Sequence, residues 1–370
     1  MRDVTWTRVL RATAVATFGL VSVACGKADN RGSSMDSTTM APSRAGPAPA
    51  APAQPDAQMK AVLDNLAALN GKPIEALTPA EARQQPTPTD AVRQLLVNQG
   101  KPAAPPPGVI LTKRTVDGAA GPLPANIYTP AGAGPFPVIV YFHGGGWVIG
   151  SKDVYDGGAR ALSMMAGAIV ISADYRLGPE HKFPAAHDDA IAVYDWTLKN
   201  AGLLKGDAKR VALAGESAGG GLAVATAIAA RDMKLRMPLA IISVYPIAGG
   251  DTTTPSYVRY AAAKPLNRPM MSWFFDHYLR SAADRQDPRI NLVAADLQGL
   301  PPTTIINAQI DPLLSDGEVL AEKLRAAGVR VTQTTYDGVT HEFFGMSAAH
   351  DKAKDANGMA ADALKKAFGQ

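Results

Sequence analysis

From residue 138 onward the chain alternates short β-rich runs with helix-forming segments, and this constrains the fold more than anything else in the sequence. The β-rich runs fall at 138–142, 168–173, 211–214, 239–244, 303–308 and 329–335. Between them lie helical patterns over 157–166, 185–199, 218–230 and 316–327, with a last one near 353–367. Strands joined through helices need crossover connections, so the pattern predicts a mainly parallel sheet with both faces covered. Two further runs, at 109–116 and 125–128, follow each other closely, as antiparallel neighbours do. The expectation is an α/β chain with an eight-stranded, mostly parallel central sheet flanked by helices. At 370 residues with 46% apolar and 19% charged side chains, one large domain with appendages fits best.

Two segments stand outside that alternation. Residues 59–98 have helical periodicity, with Met59, Val62, Leu63, Leu66 and Leu69 on one face and Val92, Leu95 and Leu96 on another. Between these faces Thr78-Pro79-Ala80-Glu81 reads as a capped helix start. The second segment, 246–300, is too long for a bare loop and contains the amphipathic run 270–279. Together, 59–100 and 246–300 are expected to form a cap over the site.

The N-terminus reads as a targeting segment over 1–24. Arg2, Arg8 and Arg11 precede an uncharged stretch from 12 to 24 that suits the apolar core of a signal peptide and is short for a membrane span. Cys25 is the only cysteine, and its position resembles the lipid-attachment site of bacterial lipoproteins. Small residues at Ser22 and Ala24 equally suit an ordinary cut just before Cys25, but an odd thiol in an exported protein favours lipidation. Residues 25–58 turn polar and then Ala/Pro-rich, the composition of a disordered, semi-extended spacer. The expected place is the periplasm or cell envelope, with membrane contact only through that anchor. A net charge of +4 without a basic block interleaved with aromatics gives no support to nucleic-acid binding. Neither a phosphate-binding glycine loop nor a metal-ligand spacing is present, so no metal is expected.

The chemistry centres on Gly215-Glu216-Ser217-Ala218-Gly219, set between an apolar run and an Ala-rich helical run. A serine on such a turn stands clear of the sheet, and flanking glycines are needed where a side chain would collide. Ser217 needs a histidine base, which in turn needs a carboxylate to fix its tautomer. In enzymes built on this turn the acid and then the histidine follow the serine. Of His277, His341 and His350, His341 follows the last strand, whereas His277 sits in the amphipathic run and His350 among polar helix-start residues. Asp311 ends the run 304–310 and precedes a proline, so it is the expected acid; Asp316 reads better as a first-turn acid of the next helix. Upstream, His143-Gly144-Gly145-Gly146-Trp147 follows a strand, and Gly145, Gly146 and Ala218 are the expected oxyanion donors. Trp147 and Glu216 are expected to face the substrate.

With these motifs assembled, the chain resembles the hormone-sensitive-lipase-like, or bacterial family IV, esterases. The resemblance also covers 174–181, Asp311-Pro312-Leu313 and 336–341, where Arg176 and its neighbouring carboxylates are expected to brace the loop under the catalytic turn. It implies the α/β-hydrolase fold with a helical cap, hydrolysis of short- to medium-chain carboxylic esters through an acyl-enzyme, and no cofactor. The chain departs from the family at Glu216, where Asp is common, and at Glu342, where Gly is usual. It departs again at Asn291-Leu292-Val293, where Ser-Pro-Leu is usual. An amidase, peptidase or antibiotic-ester hydrolase would use the same triad, and a non-catalytic ligand-binding protein would use the same fold. Oligomeric state is not legible.

Overall fold

The computed structural model describes residues 53–370, so the expected leader, Cys25 and most of the Ala/Pro-rich spacer lie outside the described residues. Three helices precede the sheet: α1 (Ala57–Ala68), α2 (Pro79–Ala82) and α3 (Pro88–Asn98). Asp56 caps α1 by accepting from the Met59 amide at 2.9 Å. Its carboxylate also takes Lys352 Nζ at 2.8 Å and meets His350 Nε2 at 3.1 Å. The boundary expected at 58/59 therefore falls inside α1, because the aspartate ending the spacer belongs to the helix as its cap. Thr78 and Glu81 form the expected capping box, and Thr87 with Asp90 forms a second one at the start of α3.

Eight strands follow: β1 (Val109–Gly118), β2 (Gly121–Pro130), β3 (Phe136–Phe142), β4 (Ile169–Ala173), β5 (Gly206–Glu216), β6 (Ile241–Val244), β7 (Thr303–Ile310) and β8 (Val331–Thr340). They form one sheet in the order β1-β2-β4-β3-β5-β6-β7-β8. The pairs β1–β2 and β2–β4 are antiparallel and all others are parallel. The connecting helices are α4 (Asp156–Ala166), α5 (Ala185–Asn200) and α6 (Ala218–Asp232). The insertion after β6 carries α7 (Pro255–Arg259) and α8 (Arg268–Tyr278), before α9 (Leu314–Ala326) and the closing α10 (Asp351–Phe368).

Both sheet faces are buried, which is why β3 reads as an unbroken apolar run. Val138, Val140 and Phe142 face a core shared with Val193 of α5, Leu222 of α6 and Leu320 of α9. Ile139 and Tyr141 point the other way, toward Leu162 of α4, Leu364 of α10 and Val62 of α1. β8 runs on to Thr340, past the expected end at 335, because Asp337-Gly338 imitates turn punctuation. Gly338, at φ +66, instead occupies an irregularity in the ladder, and pairing resumes at Ile310 with Thr340. The parallel strands thus deliver Phe142, Glu216, Val244, Ile310 and Thr340 to one edge, where an α/β sheet places its ligands.

Candidate active site

Ser217 stands at the junction of β5 and α6 with φ +59 and ψ −120, a conformation few non-glycine residues adopt. The turn survives because its neighbours are small: a Cβ on Gly215 would come within 2.2 Å of Gly219 O, and one on Gly219 within 2.0 Å of Phe142 O. The Ser217 amide donates to Val244 O at 2.9 Å, tying the turn to β6. Ser217 Oγ lies 2.9 Å from His341 Nε2, and His341 Nδ1 lies 2.6 Å from Asp311 Oδ2. The other Asp311 oxygen accepts from the Leu313 amide at 2.9 Å, so the carboxylate is held at both ends. With Nδ1–H given to Asp311, Nε2 is left as the acceptor for the Ser217 hydroxyl. All three side chains are buried. Burial pulls the His341 pKa down, but Asp311, then Glu342 and Glu216, outweigh it, and the net value lies above 6.5.

The other two histidines downstream of the serine sit elsewhere. His277 packs its ring 4.4 Å from Trp273 at the end of α8, and His350 caps α10 beside Asp56. Asp316 is in the first turn of α9 as expected, but its carboxylate is spent on the loop after β6, accepting from the Ala248 and Gly249 amides at 3.0 Å each. Burial pushes its pKa up to about 7.

Ser217 and His341 open into a cavity of about 690 Å³ walled by Leu63, Leu66, Ile74, Val92, Met270 and Phe274, so both segments outside the α/β alternation contribute to its lining. Gly145 and Gly146 border the same cavity at φ +98 and +59. A Cβ on Gly145 would strike Ile149 O at 2.1 Å, and one on Gly146 would strike the Phe274 ring at 2.2 Å, so only glycine lets this loop lie there. Ala218 opens α6, where the first amides of a helix have no partner within it.

One expected substrate-facing residue, Trp147, is corrected. Trp147 is 1% exposed and lies in the core beneath α8, stacked on Tyr278 at 4.9 Å, and Phe274 takes the wall position instead. Glu216 borders the cavity but is also 1% exposed, and its two oxygens accept from the Tyr141 and Tyr245 hydroxyls. Burial, then the nearby Glu342, pushes its pKa up to about 8. Neither tyrosine could be paired with Glu216 from sequence spacing, because the contacts join segments far apart in the chain. The same holds for Tyr155, whose hydroxyl donates to Glu342 Oε1 at 2.7 Å.

The loop over 174–181 is a brace, as its charges suggest. Arg176 grips Asp189 at 2.8 and 3.0 Å, and Asp174 takes Lys152 Nζ at 2.7 Å. Glu180 reaches further, to a paired contact with Arg83 at 2.8 and 2.7 Å. Among the described residues no group of His, Cys, Asp or Glu is arranged to hold a metal ion.

Comparison with known proteins agrees with this geometry. Residues 139–345 match a family model described as the alpha/beta hydrolase fold. The chain is 37% identical over 269 residues to the carboxylesterase NlhH of Mycobacterium tuberculosis, covering 71% of this chain and 84% of that protein. It is 34% identical over 299 residues to an ethyl acetate hydrolase of Pseudomonas putida, covering 79% and 92%. A solved hyperthermophilic esterase from Pyrobaculum calidifontis superposes with a TM-score of 0.76 at 33% identity, covering 85% of this chain and 98% of that one. With the strand order, the turn at Ser217 and these likenesses agreeing, the chain belongs to the hormone-sensitive-lipase-like branch of the α/β-hydrolase family.

Proposed function

We propose that this protein is a serine carboxylesterase acting on short- to medium-chain carboxylic esters through an acyl-enzyme. The observation that carries the reading is the unbroken relay from Ser217 Oγ through His341 to Asp311, at 2.9 and 2.6 Å, on the floor of a largely apolar cavity. Ser217 Oγ bonds to the ester carbonyl carbon as its proton passes to His341 Nε2, and Asp311 steadies the imidazolium. The carbonyl oxygen, now anionic, is held by the amides of Gly145, Gly146 and Ala218. Collapse breaks the bond to the alcohol oxygen, which takes the proton from Nε2 and leaves. Water then repeats the sequence on the acyl-serine: it gives a proton to His341, its oxygen joins the carbonyl carbon, and Ser217 recovers its proton as the acid departs. The apolar wall suits an acyl chain, and the esterase names of the relatives support the same bond class.

Ser217→Ala removes the nucleophile and is expected to cut p-nitrophenyl butyrate turnover by about 10⁴-fold or more while leaving the melting temperature near that of the parent. Full turnover by the variant sinks the reading. We further infer that the segments walling the cavity act as its cap, and that the protein is exported and carries a lipid on Cys25, a residue outside those described.

A further inference from the structure

Glu342, next to the histidine, sits at φ +73, in the left-handed region that favours glycine. A residue with a side chain is destabilised there by about 1 kcal/mol or more. Its position adds a second cost, since the carboxylate is largely enclosed close to Asp311 and Glu216, and burial holds its pKa above 4.5. Neither circumstance helps the fold, and strain that persists against both is a mark of use.

The carboxylate is aimed at the reacting atoms. Tyr155 donates its hydroxyl to Oε1 at 2.7 Å, and the same oxygen stands 3.8 Å from His341 Nε2. That is the nitrogen facing Ser217, not the one held by Asp311. The side chain remains 20% exposed and borders the cavity together with Ser217. On the reading of Ser217 and His341 as nucleophile and base, the departing alcohol oxygen must approach Nε2 to about 3 Å to receive its proton. A hydroxyl on the neighbouring carbon of that alcohol is one hydrogen-bond length away from the departing oxygen. It therefore reaches the space between Nε2 and the Glu342 carboxylate.

We propose that Glu342 is a specificity-determining residue for the alcohol half of the substrate, which makes the enzyme prefer esters of polyhydric alcohols by accepting a hydrogen bond from the hydroxyl beside the scissile oxygen. The groups around it are Tyr155 before α4, His341 and Asp311 beyond the ends of β8 and β7, and Glu216 with Tyr141 and Tyr245 across the floor. Both oxygens of Glu216 already accept from the two floor tyrosines, so Glu342 is the acceptor left to the substrate.

The test compares 2-hydroxyethyl butyrate with propyl butyrate, which match in acyl group and heavy-atom count and differ as hydroxyl against methyl. The ratio of their kcat/KM values is measured in the parent, in Glu342→Gly and in Glu342→Gln. Glycine relaxes the backbone, so that variant folds, and glutamine keeps an acceptor. The parent ratio is expected to exceed that of Glu342→Gly by about ten-fold, the worth of a hydrogen bond to a charged group, with Glu342→Gln in between. An unchanged ratio overturns the proposal. So does an equal loss on both esters, which makes Glu342 a partner of the histidine and not of the substrate. Propyl butyrate turnover by the parent, abolished in Ser217→Ala, shows the underlying reading intact; its persistence in that variant is a failure of the reading instead.

Discussion

His341 is the residue on which the site's response to pH turns. On the proposed mechanism only its neutral form takes the Ser217 proton, and the carboxylates around it hold its pKa above 6.5 against the opposing pull of burial. A raised value means that protonation persists to higher pH, so activity is lost as pH falls through that value and regained above it. The acid limb of kcat/KM against pH is therefore expected to have its midpoint above 6.5, and Glu342→Gln, which removes one of the charges, is expected to move it down. A midpoint at or below 6.5 in the parent contradicts this electrostatic account. At this scale the sequence was legible wherever chain order and strand position decide. Ser217, Asp311 and His341 could be picked from single strand ends, and the structure brings them within hydrogen-bond distance of one another. It was illegible where a side chain's partner lies on another element. Glu216 borders the cavity with both oxygens given to tyrosines, and Trp147 lies in the core, because the direction of a buried side chain is set by packing that no local spacing records.

Among elements, the short α2 borders the cavity and is tied down through its C-cap. Arg83, its C-cap, donates to Val148 O at 2.9 Å and Gly178 O at 2.6 Å as well as pairing with Glu180. The ion pair itself is partly exposed, at 28% and 55%, and contributes little. The fork onto two carbonyls is what fixes the helix to the loops beneath it. Arg83→Ala is expected to destabilise the fold by about 1–2 kcal/mol and to raise KM more than it lowers kcat, since α2 borders the cavity but not the reacting bond. Arg83→Lys restores charge without the fork and is expected to recover little, whereas Glu180→Gln changes little. Thermal melts and steady-state kinetics on the three variants check this, and full recovery by lysine refutes the geometric argument. Element types and order were readable from periodicity, since the central strands are covered on both faces and stay apolar. The end of β8 was not readable, because Gly338 looks the same in a turn as in a bulge. The α3 cap was also missed, because Thr87 pairs with an aspartate where the capping-box pattern calls for Glu or Gln.

For the whole molecule, the inferred lipid on Cys25 makes a direct prediction. The mature N-terminus should begin at residue 25 and carry the mass of the added acyl chains, as read by intact mass spectrometry of the membrane fraction. An unmodified N-terminus in a soluble fraction removes the anchor while leaving the enzyme untouched. The body itself needs no such support: its eight strands and covering helices build a core on each side of the sheet. The lead-in to that body is nevertheless specific. The Asp56 amide donates to Gly338 O at 2.9 Å, and its carboxylate engages Lys352 and His350. A mechanical pull on the chain ahead of Asp56 is therefore received by β8 and the start of α10 before it reaches α1. These grips act like a strain relief on a cable, so a tug on the tether is taken up before the helices that wall the cavity feel it.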